Sequence, residues 1–154
     1  MKIMTKNTTP ERFLVAYRVF PDGGEFLGIN TQGTVTSLQS NIVCDHFDVL
    51  ALNSGIDMFV DDEGSINGSP LNFFATYVAH TFGIPAVLFG NAVMLGINPD
   101  TGDSISLTEA QLDAIVAALN DCLDGGPDTD TMSRVFASMG PNPDIHEMLG
   151  RRRG

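Results

Sequence analysis

The spacing of apolar residues in the first part of the chain predicts strands. Apolar side chains recur at every second position from Phe13 to Val19, which is typical of a strand with one mostly apolar face. The turn sequence Pro-Asp-Gly-Gly follows, and residues 25–30 continue as a second, shorter strand. Further on, the spacing of Leu38 and Ile42 within residues 36–43 favours a short helix slightly over a strand.

A hairpin is predicted in the middle of the chain. Residues 47–52 form a compact apolar run, and residues 56–60 alternate between an apolar face and a face that carries Asp57. The sequence Asn-Ser-Gly between these runs is a turn, so the two are expected to pair as antiparallel strands. The sequence Asp-Asp-Glu-Gly at residues 61–64 then predicts a four-residue hairpin connection, closed by a glycine that can take positive φ.

A first main helix is predicted at residues 70–82, where apolar residues recur at a spacing of three and four. Ser69 is expected to be its N-cap and Pro70 its first residue, where the missing N–H of proline costs nothing. Residues 87–89 and 92–97 are expected to form a buried strand after this helix.

A second main helix is predicted at residues 107–123. We expect it to open with a capping box, in which the Ser106 hydroxyl accepts from the Glu109 amide and the Glu109 carboxylate accepts from the Ser106 amide. Gly-Gly-Pro at residues 125–127 predicts a hinge, and a short apolar stripe predicts a further helix at residues 130–139. Whether that helix packs on its own protomer or on a partner is open, which leaves homo-oligomerisation open as well.

These elements predict a single α+β domain. Its mostly antiparallel sheet of about four to six strands is packed by two main helices, with the third helix peripheral. The expected organisation is a disordered leader at residues 1–11, a globular domain at 12–124, a hinge and short helix at 125–140, and a tail at 141–154.

The charge of the chain is uneven. The formal net charge is −11, and residues 19–133 contain no lysine or arginine but sixteen of the nineteen acidic residues. Such a span is expected to avoid nucleic acid and anionic membranes and to attract basic partners in a salt-sensitive way. The alternative explanation is that acidity only confers solubility or reflects an acidic host proteome.

A cytoplasmic protein is expected, because the sequence has neither a signal-peptide core nor a membrane-spanning run. Cys44 and Cys122 are isolated in the sequence, so their thiols are expected to be reduced.

The motif Asp-Asp-Glu-Gly-x-x-x-Gly-x-Pro-Leu-Asn at residues 61–72 stands beside the apolar runs at 47–60 and the sequence Phe-Gly-Asn-Ala-Val at 89–93. Through these residues the chain, over about 34–97, resembles a family of small phage and actinobacterial proteins, the domain of unknown function numbered 3846. Cys44 and Asp45 depart from the family pattern, which has a glycine-rich turn there. The resemblance implies an accessory gene of a phage or mobile element, and it implies no activity because the family has none assigned.

Carboxylates are the candidate binding residues. The predicted acidic surface consists of Asp57, Asp61, Asp62, Glu63, Asp100 and Asp103. Backbone geometry around it is expected to depend on Gly64, Gly68, Pro70 and Asn72.

Residues 98–109 have the length of a calcium-binding EF-hand loop. Asn98, Asp100 and Glu109 stand at its first, third and twelfth positions, where such a loop needs oxygen ligands. Gly102 stands where a fifth-position ligand is needed, Asp103 stands where the sharp turn needs glycine, and no helix precedes the loop. We therefore predict no metal site, with Asn98, Asp100 and Glu109 as weak candidates.

No catalytic residues and no cofactor are predicted. His46, His80 and His146 have no Ser, Cys or Asp at motif spacing, and no glycine-rich phosphate loop precedes a helix. Arg151, Arg152 and Arg153 are too few to predict nucleic-acid binding.

Three functional hypotheses follow. The leading one is a non-enzymatic phage or mobile-element accessory protein that binds a basic host or phage protein through its acidic surface, in the host cytoplasm. The second is a DNA mimic that inhibits a DNA-binding or restriction protein, which needs many carboxylates on one face because B-DNA carries about one charge per 1.7 Å. The third is an enzyme with a metal ion held by Asp61, Asp62 or Glu63.

Overall fold

The structure, a computed structural model, describes residues 12–123. Its strands are β1 (Phe13–Phe20), β2 (Gly23–Asn30), β3 (Phe47–Leu52), β4 (Ile56–Asp61), β5 (Ala92–Ile97) and β6 (Ser104–Ile105). Its helices are α1 (Thr34–Ile42), α2 (Phe73–Thr81) and α3 (Glu109–Leu123). This architecture confirms the predicted single α+β domain. The predicted leader, hinge, C-terminal helix and tail lie outside the described residues.

The strands form one antiparallel sheet in the order β2-β1-β5-β4-β3, and β6 pairs with β5. The predicted β3–β4 hairpin is confirmed, with Phe47 opposite Asp61 and Leu52 opposite Ile56. Since β5 runs antiparallel to both β1 and β4, the ends of β1 and β4 and the starts of β2, β3 and β5 share one end of the sheet. We call this the Asp61 end, and the other the Ile56 end.

Helices cover both faces of this sheet. Met58 and Met94 pack with α2 and α3 on one face, whereas Phe59 and Val93 pack with α1 on the other. Strands β4 and β5 are therefore buried on both sides, which explains why their sequences are almost continuously apolar.

The prediction of a single apolar face for β1 is wrong. Leu14 and Ala16, assigned to its more polar face, are buried in the cluster that contains α1. Phe13 and Val15, assigned to its apolar face, are instead exposed. A period-two pattern identifies the faces of a strand but does not say which of them a helix will cover.

Helix α2 begins three residues later than predicted, because Asn72 and not Ser69 is its N-cap. The Asn72 Oδ1 accepts from the Ala75 amide at 2.9 Å. Its Nδ2 donates to the carbonyls of Val19 at 3.0 Å and Gly90 at 2.7 Å. Asn72 is completely buried, so one side chain caps the helix and attaches it to the sheet.

The segment between β4 and α2 is not the predicted hairpin connection, since it leads into turns and then into the helix. Gly64 does not take the positive φ expected of it; instead, a Cβ there would lie 2.7 Å from the Phe89 carbonyl oxygen. Gly68 does take positive φ, at 87°. The Pro70 carbonyl accepts from the Gly90 amide at 2.8 Å, so Pro70 precedes the helix and is not part of it.

The capping box of α3 lies two residues beyond the predicted one. The Thr108 hydroxyl accepts from the Gln111 amide at 3.1 Å, and the Gln111 side chain accepts from the Thr108 amide at 2.9 Å. The Ser106 hydroxyl instead accepts from the Val15 amide at 2.9 Å. Because Ser106 follows β6 directly and is bonded to β1, the helix begins only at Glu109.

Candidate functional site

Two loops meet at the Asp61 end of the sheet. Because Phe47 pairs with Asp61, the residues just before β3 and just after β4 are neighbours. The Asp62 amide donates to the His46 carbonyl at 3.3 Å and joins the two loops directly. Residues 16 positions apart in the sequence are thus brought together by the hairpin.

An open depression of about 410 Å³ lies between these loops and the end of α1. It is lined by the carboxylates of Asp45, Asp61 and Glu63 and by Gln39, Ser40, Val43, Cys44 and Asn67. We call it the acidic depression. Three of its eight lining residues are acidic and none is basic, so it suits a positively charged group.

The Asp61 carboxylate organises the loop on one side of the acidic depression. One of its oxygens accepts from the Glu63 amide at 2.9 Å, and the other accepts from the Asn67 side-chain amide at 2.8 Å. Asn67 in turn accepts from the Ser69 amide at 3.0 Å. Asp61 therefore holds the loop in shape, while the exposed carboxylates of Asp62 and Glu63 face solvent.

The thiol of Cys44 reports the electrostatic field in the acidic depression. Burial raises the pKa of Cys44 to about 11, with further contributions from the negative charges of Asp61, Asp62 and Asp45. The thiol therefore keeps its proton at neutral pH, which disfavours nucleophilic chemistry at this residue. The negative charges of these three carboxylates, unlike burial, favour a cation in the same place.

The rim of the acidic depression contains a strained residue. Val43 caps α1 with φ 66° and ψ 63°, a left-handed conformation that a β-branched residue rarely takes. Its amide donates to the Gln39 carbonyl at 2.8 Å, and its side chain is 73% exposed. Ile66, in the loop on the other side, is 79% exposed. Both of these large aliphatic side chains are thus exposed, and that of Val43 lines the acidic depression.

The basic residues of the described chain do not neutralise this end. Between residues 12 and 123 the lysine and arginine residues are Arg12 and Arg18. Arg18 forms an ion pair with Glu25, donates to the Asn41 carbonyl at 3.1 Å and lies over the Phe20 ring. Its charge is engaged with β2 and α1, so the acidic depression keeps its negative field.

The predicted acidic surface is not continuous. Asp61, Asp62 and Glu63 lie at the Asp61 end. Asp100 and Asp103 follow β5 and lie at the Ile56 end, where the Ile97 amide donates to the Gly55 carbonyl at 3.1 Å. The length of β4, about 17 Å, separates the two groups.

Asp57 does not belong to either exposed group. It is the second residue of β4 and only 7% exposed, and burial raises the pKa of its carboxyl. Its assignment to the acidic surface was wrong because α1 covers the face of β4 that the alternating pattern marks as polar.

The loop that resembles an EF-hand folds differently. The Asn98 side chain accepts from the Asp100 amide at 2.9 Å, and the Asn98 carbonyl accepts from the amide of Gly102, whose φ is 80°. Strand β6 then separates this turn from Glu109, the first residue of α3. In the part of the chain that the structure describes, no three His, Cys, Asp or Glu residues are grouped so as to hold a metal ion.

Sequence reasoning missed most of the acidic depression. The sequence marks Cys44 and Asp45 only as departures from a family pattern, and Gln39, Ser40, Val43 and Asn67 are not among the predicted site residues. The predicted β3–β4 hairpin contained the necessary signal, because it requires the segment before residue 47 to meet the segment after residue 61.

The fold and the site together define a class of protein: a small α+β domain with an acidic depression at one end of a sheet that helices cover on both faces. No helix within residues 12–123 combines the length and the apolar character needed to cross a membrane.

The chain belongs to the family described as domain of unknown function (DUF3846), whose family model matches residues 16–120, about two thirds of the chain. The match extends beyond residues 34–97 into β1 and α3. No curated protein matches the chain. No solved structure matches it either.

Proposed function

We propose that this protein is a non-enzymatic binding protein that engages a basic segment of a host or phage protein through the acidic depression. The phage or mobile-element setting is part of the proposal and rests on the family resemblance. The observation that carries the proposal is the meeting of Asp45, Asp61, Asp62 and Glu63 at one end of the sheet, beside a depression that no basic residue lines.

The field at Cys44 supports a cationic ligand. The carboxylates that raise the pKa of this thiol stabilise a guanidinium or ammonium group placed in the same depression. The volume of about 410 Å³ admits a lysine or arginine side chain. Val43 lines the depression and offers apolar surface to the aliphatic stem of such a side chain.

The expected interaction is salt-sensitive and depends on several contacts. An exposed ion pair contributes about 0.2–1 kcal/mol, and the screening length is about 8 Å at physiological ionic strength. One basic residue therefore gives weak binding, whereas a segment with several arginines or lysines can contact Asp45, Asp62 and Glu63 together.

DNA mimicry has less support than protein binding. A mimic needs a long row of carboxylates, because the phosphates of B-DNA succeed each other at about one charge per 1.7 Å. The predicted acids fall into two groups separated by the length of β4, with Asp57 buried between them. The two ends do not form such a row.

The proposal is tested with two variants of equal charge. Asp62→Asn with Glu63→Gln removes two charges at the Asp61 end, and Asp100→Asn with Asp103→Asn removes two at the Ile56 end. The probe is a fluorescent arginine-rich peptide, and its affinity is measured by anisotropy at low and at raised NaCl. We expect the first variant to weaken binding about 2- to 30-fold and the second about twofold or less.

Equal losses for the two variants would show that the peptide responds to net charge and not to the acidic depression, and would reject the proposal. Affinity capture from host lysate with the same three proteins then identifies the natural partner. That partner is retained by the wild type and by the Asp100/Asp103 variant and lost with the Asp62/Glu63 variant. A rise in Tm on adding Mg²⁺ that only the Asp62/Glu63 variant abolishes would favour the metal-dependent alternative.

A further inference from the structure

Strand β3 forms one edge of the sheet, with β4 as its strand partner. In an antiparallel pair, alternate residues direct their N–H and C=O groups toward the partner strand and away from it. The His46 carbonyl accepts from the Asp62 amide, which fixes this alternation. The backbone groups that point away from β4 are therefore those of Phe47, Val49 and Ala51. In the described part of the chain no group hydrogen-bonds to them. We call these backbone groups the β3 edge.

The side chains along this strand leave the β3 edge accessible. Asp48 and Ala51 are exposed, and Val49 is 47% exposed. A strand edge with free N–H and C=O groups pairs readily with another extended chain. Proteins use this property for recognition, since an added strand gains main-chain hydrogen bonds and side-chain contacts together.

The β3 edge leads into the acidic depression. Phe47 stands opposite Asp61, which lines the depression, and the distance along the strand from Val49 to this pair is about 7 Å. Asp45 also lines the depression and lies two residues before β3 begins. Asp48 adds an exposed carboxylate within the strand itself. A chain that pairs with β3 and continues past Phe47 therefore arrives at the carboxylates.

We propose that the basic partner segment binds as an extended strand antiparallel to β3, and that basic residues just after this strand enter the acidic depression. The inference rests on the proposed function, because it says how the basic segment reaches the depression. Since β3 begins at the Asp61 end, an antiparallel segment has its C-terminal end there. Antiparallel pairing also continues the order of the whole sheet and is slightly more stable than parallel pairing.

Charge favours a basic partner at this edge over a second copy of the protein. Residues 19–133 contain no lysine or arginine, so a second copy would bring the same uncompensated acids to the β3 edge. Strand β2 forms the other edge of the sheet, but its Glu25 is already paired with Arg18. The β3 edge therefore suits a basic strand better than the β2 edge does.

The test uses a fluorescein-labelled peptide with the sequence Val-Thr-Val-Thr-Val-Arg-Arg-Arg. When its valines stand opposite the residues of the β3 edge, the valine amides donate to β3 and the threonine amides point to solvent. Its arginines then lie at the acidic depression. One modified peptide carries N-methyl groups on the second and third valines. The matched control carries them on the two threonines, so charge and composition are the same in both.

Binding to the full-length protein is measured by fluorescence anisotropy. We expect methylation of the valines to weaken binding about 5- to 30-fold, because two main-chain hydrogen bonds are lost. Methylation of the threonines is expected to weaken it less than about threefold. The peptide comparison requires no change in the protein, so it does not depend on the folding of a variant.

Two protein variants locate the added strand. Val49→Pro removes an outward N–H from β3, and Phe26→Pro removes the corresponding N–H from the β2 edge. Circular dichroism checks that both variants fold. We expect Val49→Pro to weaken binding of the unmethylated peptide about 3- to 10-fold and Phe26→Pro to change it less than about twofold.

Equal affinities of the two methylated peptides would overturn the proposal. If Asp62→Asn with Glu63→Gln still weakened that binding, the proposed function would stand and only the added strand would be rejected. A selective effect of valine methylation that the Asp62/Glu63 variant leaves unchanged would support strand addition and reject the acidic depression as the site. A wild-type dimer by light scattering that Val49→Pro dissociates would show that a second copy occupies the β3 edge, which would also overturn the proposal.

Discussion

Replacing Asn72 with alanine is expected to destabilise this protein more than any substitution of its exposed acids. The Asn72 side chain is fully buried and makes three hydrogen bonds. It accepts from the Ala75 amide at 2.9 Å and donates to the Val19 carbonyl at 3.0 Å and the Gly90 carbonyl at 2.7 Å. Alanine fills part of the space but satisfies none of these three backbone groups.

The magnitude follows from the individual contributions. Loss of an N-cap costs about 1 kcal/mol. Each of the two bonds from Nδ2 contributes about 1 kcal/mol, and a buried carbonyl left without a donor adds to that loss. We therefore expect Asn72→Ala to lower the free energy of unfolding by about 3–4 kcal/mol, a large share of the 5–15 kcal/mol typical of a domain.

Urea unfolding followed by far-UV circular dichroism measures this loss. Asn67→Ala is the control, since Asn67 also bonds through its side chain but is exposed, and it is expected to cost about 1 kcal/mol or less. Asn72→Asp keeps the cap and loses both donors, so it separates the two contributions. A loss below about 1 kcal/mol for Asn72→Ala would refute the view that this side chain attaches α2 to the sheet.

Three further predictions concern the acids and the strained rim. Burial raises the pKa of the Asp57 carboxyl, so the folded protein keeps the carboxyl proton up to a higher pH than the unfolded chain does. The resulting contribution to stability is fully present below about pH 3.9, the ordinary pKa of aspartate in the unfolded chain. It is lost as the pH rises through the raised pKa of the folded protein. Asp57→Asn should therefore be more stable than the wild type at pH 7 by about 1 kcal/mol but equal to it near pH 4 in urea unfolding; the same difference at both values would contradict this. Burial and acids raise the pKa of Cys44 to about 11, whereas burial alone does so for Cys122. Asp62→Asn should thus speed alkylation of Cys44 about twofold at pH 8 and leave Cys122 unchanged by mass spectrometry, and equal acceleration of both would argue against a local field. Val43→Gly should raise the free energy of unfolding by about 1 kcal/mol, because glycine adopts the φ of 66° at this position without strain. A decrease in the free energy of unfolding would mean that the exposed valine side chain contributes more than the backbone strain costs.

Local sequence patterns predicted the strands and helices but not their starts. Period-two and helical spacing identified β1, the β3–β4 hairpin, α2 and α3, because these patterns are set by each element's own buried face. The starts of α2 and α3 were displaced because Ser69 and Ser106 satisfy the local rule for an N-cap as well as Asn72 and Thr108 do. Tertiary contacts decide between such candidates: Asn72 reaches β1 and the segment just before β5, and Ser106 is already bonded to β1.

The candidate site was less accessible to sequence reasoning because it is assembled from separate segments. The cluster at residues 61–63 was visible as a run of acids, but its association with Asp45 depends on the hairpin register. Asp57 was misplaced for a related reason, since its exposure depends on where α1 packs and not on the alternation within β4. A sequence gives the residues of each loop, whereas the topology of the sheet gives the partners of that loop.

The structure separates the groups that shape the acidic depression from those that face solvent. Asp61 is bonded to the Glu63 amide and to Asn67, and the His46 carbonyl is bonded to the Asp62 amide, so the two loops are held by Asp61 and by backbone groups. The Asp62 and Glu63 side chains are exposed, and their carboxylates repel one another and Asp61. In the free protein this repulsion opposes folding, and a cation bound as proposed would relieve it. Because the shape does not depend on those two side chains, exchanging them tests binding without altering the depression.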